Sequence, residues 1–253
     1  MNVYKELIGL GVFALDDVEK LYNNRNSAVS AIRSMLKKGL ATSIRKNLFV
    51  FNNIETRAPV CDKYKIGSSI NKSAYISHHS AFEFYGLSNQ VFFELTVSSN
   101  THFRSFEFEG ITYKYNDSSF ENGVETYTTN RGVKVTNIER TVIDCIKDID
   151  KSGGIEEVLQ CLRLITFLDE EKLIEYLDCY NIQFVYQKAG FLLEYFKEQL
   201  KLSDNFITYC HNKIITSKRY MGDKDGQEYN ARWRLFTPRR LFKFLEQGGS
   251  ELV

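Results

Sequence analysis

The chain has 253 residues, of which 43% are hydrophobic and 14% aromatic, and its formal net charge is +1. A chain of this length and apolar content buries a large core, which excludes disorder as its main state. No stretch approaches the run of about 20 apolar residues that a membrane-spanning helix requires, so we expect no association with a membrane.

The start of the chain and its cysteines predict a cytoplasmic protein. The first residues, MNVYKELIGLG, have neither the long apolar core nor the small-residue cleavage site of a signal peptide. The five cysteines are scattered and include no Cys-x-x-Cys pair, so we expect reduced thiols rather than disulfides or a zinc site. The sequence also lacks a Gly-rich phosphate-binding loop, and we predict no cofactor.

The positive charges are distributed unevenly. Residues 25–57 contain seven basic residues and one acidic residue, which gives a local charge of +6. Residues 211–243 contain nine basic residues against three acidic ones, again +6. The first of these segments predicts an anionic partner near the N-terminus of the chain.

The first 58 residues predict three helices followed by a β-hairpin. The helices are expected over residues 3–10, 16–22 and 26–38, and Gly39 ends the third. The segments LATSI and LFVF predict two strands joined by the polar turn RKN. The expected helix caps are Asp16 for the second helix and Asn26 or Ser27 for the third. This order of elements is typical of a winged helix-turn-helix.

The third helix has a polar face that suits DNA. Its apolar residues recur at 3.6-residue spacing, which leaves hydroxyl and basic side chains on the opposite side. Such a helix enters the major groove, so Ser27, Ser30 and Arg33 are expected near base edges. The remaining basic residues, including those of the hairpin tip or wing, are expected to hold phosphates. The predicted DNA contacts are Arg25, Asn26, Ser27, Ser30, Arg33, Lys37, Lys38, Arg45 and Lys46.

The rest of the chain, residues 59–253, predicts a second domain. A mixed sheet is expected over about residues 73–150 and a mostly helical half over about residues 151–253, with a linker at residues 54–72. Within the sheet, one pair of strands is expected on either side of Gly110 in FRSFEFEGITYKYN, and another pair, VETYTT and VKVT, around the turn NRG. The predicted fold class is therefore α+β. An N-terminal winged helix-turn-helix precedes a mixed α+β domain whose C-terminal half is helical.

Several local patterns place the elements of this second domain. Ser77 is the expected cap of a helix that contains a half-buried His79. Thr136 or Asn137 is the expected cap of the helix IERTVIDCIKDI. The tail predicts strands near Tyr220 and in ARWRLF, then a last helix with Pro238 at its first position. Further helices are expected over residues 155–166, 170–179, 184–200 and 204–214.

Candidates for catalysis are weaker than those for DNA binding. Glu107 and Glu109 place two carboxylates on one strand face, as a metal-dependent nuclease needs, but the accompanying Asp is missing. His79 and Glu83 are four residues apart without the His-Glu-x-x-His pattern of a zinc enzyme. We therefore predict no enzyme. The alternatives are a metal-dependent nuclease or nucleotidyl-transferring defence enzyme, and a protein-interaction adaptor whose winged domain does not contact DNA.

Five segments, spread in order along the chain, together resemble one known family, the AbiEi-type antitoxins and transcriptional regulators of bacterial abortive-infection (type IV toxin–antitoxin) systems. The segments are AIRSMLKKGLATSIRKNLFVF, YISHHSAFEFYGL, VKVTNIERTVIDCI, YQKAGFLLEYF and ARWRLF. The resemblance implies that the winged domain represses its own operon at inverted repeats in double-stranded DNA. It also implies that the C-terminal region counters a nucleotidyltransferase-like toxin, without requiring that the two proteins bind each other.

The matched residues of the C-terminal region are expected to be structural. Arg140 and Asp144 are four residues apart on one helix, so they pair on its surface or anchor it to the sheet. Gly190 and Glu194 are expected to let two helices approach closely and to tie their packing. The predicted DNA-contacting residues therefore all lie in the N-terminal part. The alternation of arginine and aromatic residues in ARWRLFTPRRLFKF would also suit a second nucleic-acid surface, but an ordinary half-buried edge strand is the favoured interpretation.

Overall fold

The computed structural model describes residues 7–118, 120–222, 226–243 and 245. Helices and several sheets occur together, so the class is α+β as predicted. The chain forms two compact units, the first made of residues 1–80, 92–119 and 124–136 and the second of the rest. The predicted boundary at residue 58 does not coincide with this division, because the large sheet that follows belongs to the same unit as the N-terminal elements.

The first long helix, α1, covers Leu15–Tyr22. It begins one residue earlier than predicted, because the backbone NH of Ala14 donates a hydrogen bond to the Asp17 carboxylate at 2.9 Å. Asp17 therefore closes the start of α1, and the predicted cap Asp16 is wrong.

The second long helix, α2, covers Arg25–Lys37. Its cap is Asn24, whose side-chain oxygen accepts a hydrogen bond from the backbone NH of Ser27 at 3.0 Å. The predicted caps, Asn26 and Ser27, are wrong because both residues already lie inside the first helical turn. Gly39 follows the helix with φ of 67°, a conformation that suits glycine, so the predicted end of the helix is confirmed.

A small antiparallel sheet completes the N-terminal part. The hairpin predicted from LATSI and LFVF is confirmed, whereas the strand before α1 was not predicted, since three residues are too few to show a period. The strands are β1 (Val12–Ala14), β2 (Ala41–Arg45) and β3 (Leu48–Phe51), in the order β1-β3-β2. The core beside this sheet includes Phe13, Val18, Ala28, Ile32, Met35 and Phe51.

The chain before β1 is described from residue 7 onward. Ile8–Leu10 form a 3-10 helix, and Gly11 ends it with φ of 71°. All described residues of the helix predicted over residues 3–10 are therefore helical, Leu7 as α-helix and Ile8–Leu10 as 3-10 helix, while residues 3–6 lie outside the described chain.

A six-stranded mixed sheet forms the rest of the first unit. Its order is β6-β7-β5-β4-β9-β8, with antiparallel hairpins β6–β7 and β8–β9 as predicted. Parallel pairs β5–β7 and β4–β9 join these hairpins to the centre of the sheet. The strands are β4 (Tyr75–Ile76), β5 (Glu94–Ser99), β6 (Phe106–Phe108), β7 (Ile111–Asp117), β8 (Val124–Tyr127) and β9 (Val133–Thr136).

The predicted linker at residues 54–72 instead contains a helix, α3 (Lys63–Ser68), which packs on the six-stranded sheet. Gly67 lies so close to the sheet that a Cβ atom there would be 2.6 Å from Leu95 and 2.9 Å from Ile76. The prediction failed because a helix of six residues is too short to display a helical period.

The second unit is mostly helical, as predicted. After α4 (His79–Phe84), the helices are α5 (Ile138–Lys147), α6 (Ile155–Leu164), α7 (Glu170–Tyr180), α8 (Gln183–Tyr195), α9 (Lys197–Leu200) and α10 (Asp204–Asn212). The long helix predicted over residues 184–200 is divided at Phe196, and Asn137 caps α5 as predicted. In the described part of the chain, no helix has the length and apolarity needed to cross a membrane.

A three-stranded sheet follows these helices. Its strands are β10 (Arg219–Tyr220), β11 (Gln227–Asn230) and β12 (Leu235–Pro238), in the order β10-β12-β11. The predicted helix start at Pro238 is wrong, because Pro238 is the last residue of β12 and pairs with Gln227 at the end of the ladder. Only the last two residues of ARWRLF belong to this strand, since Arg234 adopts a left-handed conformation just before it.

Candidate nucleic-acid interface

One face of α2 is exposed and polar. Ala28, Ile32 and Met35 point into the core and fix the orientation of the helix. At about 100° per residue, four exposed residues fall within roughly 60° of one another on the opposite side. They are Asn26, Ser30, Arg33 and Lys37. The helix therefore presents hydroxyl, amide and cationic groups together, while Ser27 lies beside them at its first turn.

The predicted DNA-contacting cations differ in whether a carboxylate already neutralises them. Arg25 forms an ion pair with Glu19 at 3.0 Å on the surface. Among the predicted DNA contacts, four other cations are exposed and form no ion pair with a described residue: Arg33, Lys37, Lys38 and Lys46. These four charges are the ones available to an anionic partner.

The C-terminal end of α2 is held by a side chain that local sequence patterns do not predict there. The Arg57 guanidinium donates hydrogen bonds to the carbonyl oxygens of Lys38, at 3.1 Å, and Gly39, at 3.4 Å. Carbonyls at a helix end lack partners within the helix, so a cation there both satisfies them and favours the helix dipole. Every helix C-terminus needs hydrogen-bond donors, so a donor near Gly39 could be expected from the sequence. That general requirement does not identify Arg57 as the donor.

The turn of the β2–β3 hairpin exposes Lys46 at its tip. Asn47 follows with φ of 63°, a left-handed conformation that asparagine tolerates, and this lets the chain reverse direction. Lys46 and Asn47 are exposed, whereas Leu48 returns to the core. The tip therefore presents one free ammonium group.

Arg45, the other predicted phosphate contact of the hairpin, is half-buried and points elsewhere. Its guanidinium carbon lies 5.1 Å from the centre of the Phe106 ring and 5.8 Å from that of Phe103. Its Nη1 atom is shut off from solvent and has no hydrogen-bond acceptor among the described residues. The hairpin thus separates its two basic residues into one exposed and one packed on aromatic rings.

Gly190 and Glu194 contact a tryptophan rather than a second helix. A Cβ atom on Gly190 would lie 2.0 Å from the ring of Trp233, so glycine is what lets the indole reach α8. Glu194 accepts the indole NH at 2.7 Å, and the Gln187 amide donates to the carbonyl of Trp233 at 3.0 Å. The expected helix-to-helix contact is wrong; α8 is instead joined to the segment that precedes β12.

Arg140 and Asp144 do pair, at 2.7 Å, but inside the second unit rather than on its surface. The Arg140 guanidinium also donates to the carbonyl of Asn122 at 2.7 Å and lies 3.6 Å from the centre of the Phe120 ring. The Tyr180 hydroxyl donates to Asp144 at 2.6 Å, and burial together with this carboxylate raises the pKa of Tyr180. The pair is a buried structural anchor.

Ser77 and His79 are also buried within the first unit. The Ser77 hydroxyl lies 2.7 Å from that of Ser98 and 2.9 Å from Nδ1 of His78, so it takes part in a hydroxyl network. The predicted role of Ser77 as the cap of α4 is wrong, because α4 begins at His79 and the residue directly before it is His78. His79 is fully buried rather than half-buried, and its ring stacks on Phe92 at 4.1 Å.

The two carboxylates considered for a nuclease do not share a strand face. Glu107 lies in the edge strand β6, whereas Glu109 lies in the β6–β7 turn with φ of 51°. The left-handed turn rotates Glu109 out of the alternation that would place it beside Glu107.

The second unit contains a cleft of about 760 Å³ whose wall includes Lys188, Phe184 and Tyr220. Lys188 is 5% exposed, and its ammonium group donates to the carbonyl oxygen of Lys147 at the end of α5. Burial lowers the pKa of Lys188 to about 8, although Asp148 acts in the opposite direction. The Lys188 amine therefore serves as a hydrogen-bond donor to the C-terminal end of α5.

Comparison with known proteins shows a similarity to a solved structure. No protein-family model matches the chain, and no curated protein does. The chain is similar to the crystal structure of the RV2827C protein from Mycobacterium tuberculosis, with a TM-score of 0.66 and 15% sequence identity. The match covers 94% of this chain and 89% of that one. At this identity the similarity shows a shared fold alone.

Proposed function

We propose that the N-terminal part of the chain is a winged helix-turn-helix that binds double-stranded DNA. In this proposal α2 is the recognition helix in the major groove, and the β2–β3 hairpin is the wing. The order of elements supports it, since two successive helices are followed by a hairpin in one small antiparallel sheet.

The observation that carries the proposal is the charge and exposure of α2 and the hairpin tip. Arg33, Lys37, Lys38 and Lys46 are exposed cations without ion pairs among the described residues. This concentration of uncompensated charges on one helix and the adjacent hairpin suits DNA, because phosphates supply the counter-charge. Ser30 and Arg33 share the exposed face, where a hydroxyl and a guanidinium can read base edges.

The resemblance to AbiEi-type antitoxins extends this proposal to a biological role. The chain is then a cytoplasmic transcriptional regulator without enzymatic activity, which represses its own operon at inverted repeats. It also acts as an antitoxin that counters a nucleotidyltransferase-like toxin in phage defence. Co-expression with a toxin encoded beside its gene tests this role. Restored growth supports it, and unchanged toxicity contradicts it.

DNA recognition is tested by gel shift with DNA from the protein's own promoter against unrelated DNA of equal length. We expect Arg33→Ala to reduce the preference for the promoter by about tenfold, because one base contact is worth roughly 1–3 kcal/mol. Lys37→Ala is expected to weaken binding to both DNAs equally, as a lost phosphate contact does. Arg163→Ala, which removes an exposed arginine from α6, is the matched control and is expected to change neither. Equal binding of the wild type to promoter and unrelated DNA would refute specific recognition.

A further inference from the structure

The packing of Arg45 assigns it a role different from that of its neighbour Lys46. Its guanidinium lies over Phe106 and within reach of Phe103, at 5.1 and 5.8 Å from the ring centres. A cation within about 6 Å of an aromatic ring centre is attracted by the negative face of the ring. The contact therefore links β2 to the segment that enters β6.

The partial burial of Arg45 disfavours a two-pronged contact of its guanidinium with a DNA phosphate. Nη1 is closed to solvent, and it has no acceptor among the described residues. A guanidinium that held a phosphate would present its donors outward in a fork, where two oxygens could accept them. A buried donor that lacks an acceptor is costly, so the aromatic contact has to offset part of that cost.

The two rings under Arg45 belong to a rigid aromatic cluster. Phe106 stacks on Tyr113 with ring centres 4.9 Å apart and planes at 6°, and Phe103 meets Tyr115 edge-to-face at 5.3 Å. Tyr113 lies in β7, inside the six-stranded sheet, and is fully buried. Arg45 thus anchors the hairpin to a part of the fold that cannot move independently of the sheet.

We propose that Arg45 is a positioning residue that holds the β2–β3 hairpin in its DNA-binding orientation, while Lys46 alone makes the phosphate contact of the tip. This inference rests on the proposed DNA-binding function. Arg45 then raises DNA affinity by holding the hairpin in place rather than by contacting a phosphate. A hairpin that is already in its bound orientation loses less conformational freedom on binding.

The anchor itself is tested without DNA, by hydrogen exchange of the hairpin amides. Arg45→Ala and Phe106→Leu are each expected to speed exchange in β2 by about tenfold, as loss of a desolvated cation–π contact predicts. The double variant is expected to add little to either, since both remove one contact. Arg104→Ala, which removes an exposed arginine between the two phenylalanines, is the control and leaves exchange unchanged. Unchanged exchange in both single variants would overturn the anchor.

The positioning role is tested by the salt dependence of DNA affinity. Lys46→Ala is expected to reduce the slope of log K against log salt by about 0.9, the value for one lost phosphate contact. Arg45→Met keeps an apolar side chain on the rings without the charge, and it is expected to leave the slope unchanged. Arg45→Ala removes the contact with the rings, and it is expected to lower DNA affinity about fivefold at every salt concentration. A slope reduced by about 0.9 in Arg45→Met would show a phosphate contact instead.

These two experiments separate failure of the inference from failure of the proposed function. If the wild type shows no salt-dependent binding to DNA, the proposed function fails, and with it the role of Arg45 in DNA binding. If the wild type binds DNA but the Arg45→Met variant loses slope, only the inference fails.

Discussion

Replacing Gly190 by alanine provides the sharpest test of how the second unit is packed. The added Cβ would lie 2.0 and 2.1 Å from two carbon atoms of the Trp233 ring, far inside van der Waals contact. The indole would have to move by more than about 1 Å, and a buried core yields little to such a change. Overpacking of this kind costs about 1–3 kcal/mol, and loss of the indole hydrogen bond to Glu194 adds roughly 1 kcal/mol.

The greater helix propensity of alanine offsets about 1 kcal/mol of this cost, so we expect Gly190→Ala to destabilise the protein by about 1–3 kcal/mol. Trp233 is the one tryptophan of the chain, which makes its fluorescence a direct reporter during urea unfolding. Its emission in the folded variant is expected to shift as the indole leaves its buried site. Gly9→Ala is the control, since nothing lies within 4 Å of a Cβ atom there. Unchanged stability and emission in Gly190→Ala would refute this account of the packing.

Two further predictions concern buried charges of the second unit. Arg140→Met leaves Asp144 without its cation, and we expect about 3 kcal/mol of lost stability in urea unfolding; a loss below 1 kcal/mol would contradict a buried ion pair. Burial lowers the pKa of Lys188 from 10.5 to about 8, so between these pH values the unfolded chain binds more protons than the folded one. The free energy of unfolding of the wild type minus that of Lys188→Met is therefore expected to rise from about pH 8 to pH 10 and to be constant below pH 8. A difference that falls over this pH range would show that the pKa of Lys188 is raised rather than lowered.

Elements specified by nearby residues were predictable from the sequence. The hairpins β2–β3, β6–β7 and β8–β9 were expected because each has a turn between two strand-forming segments. The start of α5 was expected because Asn137 is a strong helix cap, and its side chain does accept the backbone NH of Arg140 at 2.9 Å. The exposed face of α2 followed from helical spacing alone.

What the sequence could not show depends on contacts between distant segments. Gly190 and Trp233 are 43 residues apart, and only the folded chain places the indole where a Cβ atom would be. The packing of Arg45 has the same origin, since Phe106 belongs to a strand of another sheet. Its position at the hairpin turn therefore predicted a phosphate contact for Arg45, as for Lys46. Only the long-range packing of Arg45 on aromatic rings distinguishes the two residues.

The salt dependence of DNA binding tests the central claim most directly. The three uncompensated lysines assigned to phosphates, Lys37, Lys38 and Lys46, predict a slope of log K against log salt of about −2.7 per chain, or roughly fortyfold weaker binding at 200 mM than at 50 mM salt. Replacing Arg33, Lys37, Lys38 and Lys46 together by alanine is expected to abolish most of this slope. Equal slopes for the wild type and the fourfold variant would contradict the claim that this surface binds DNA.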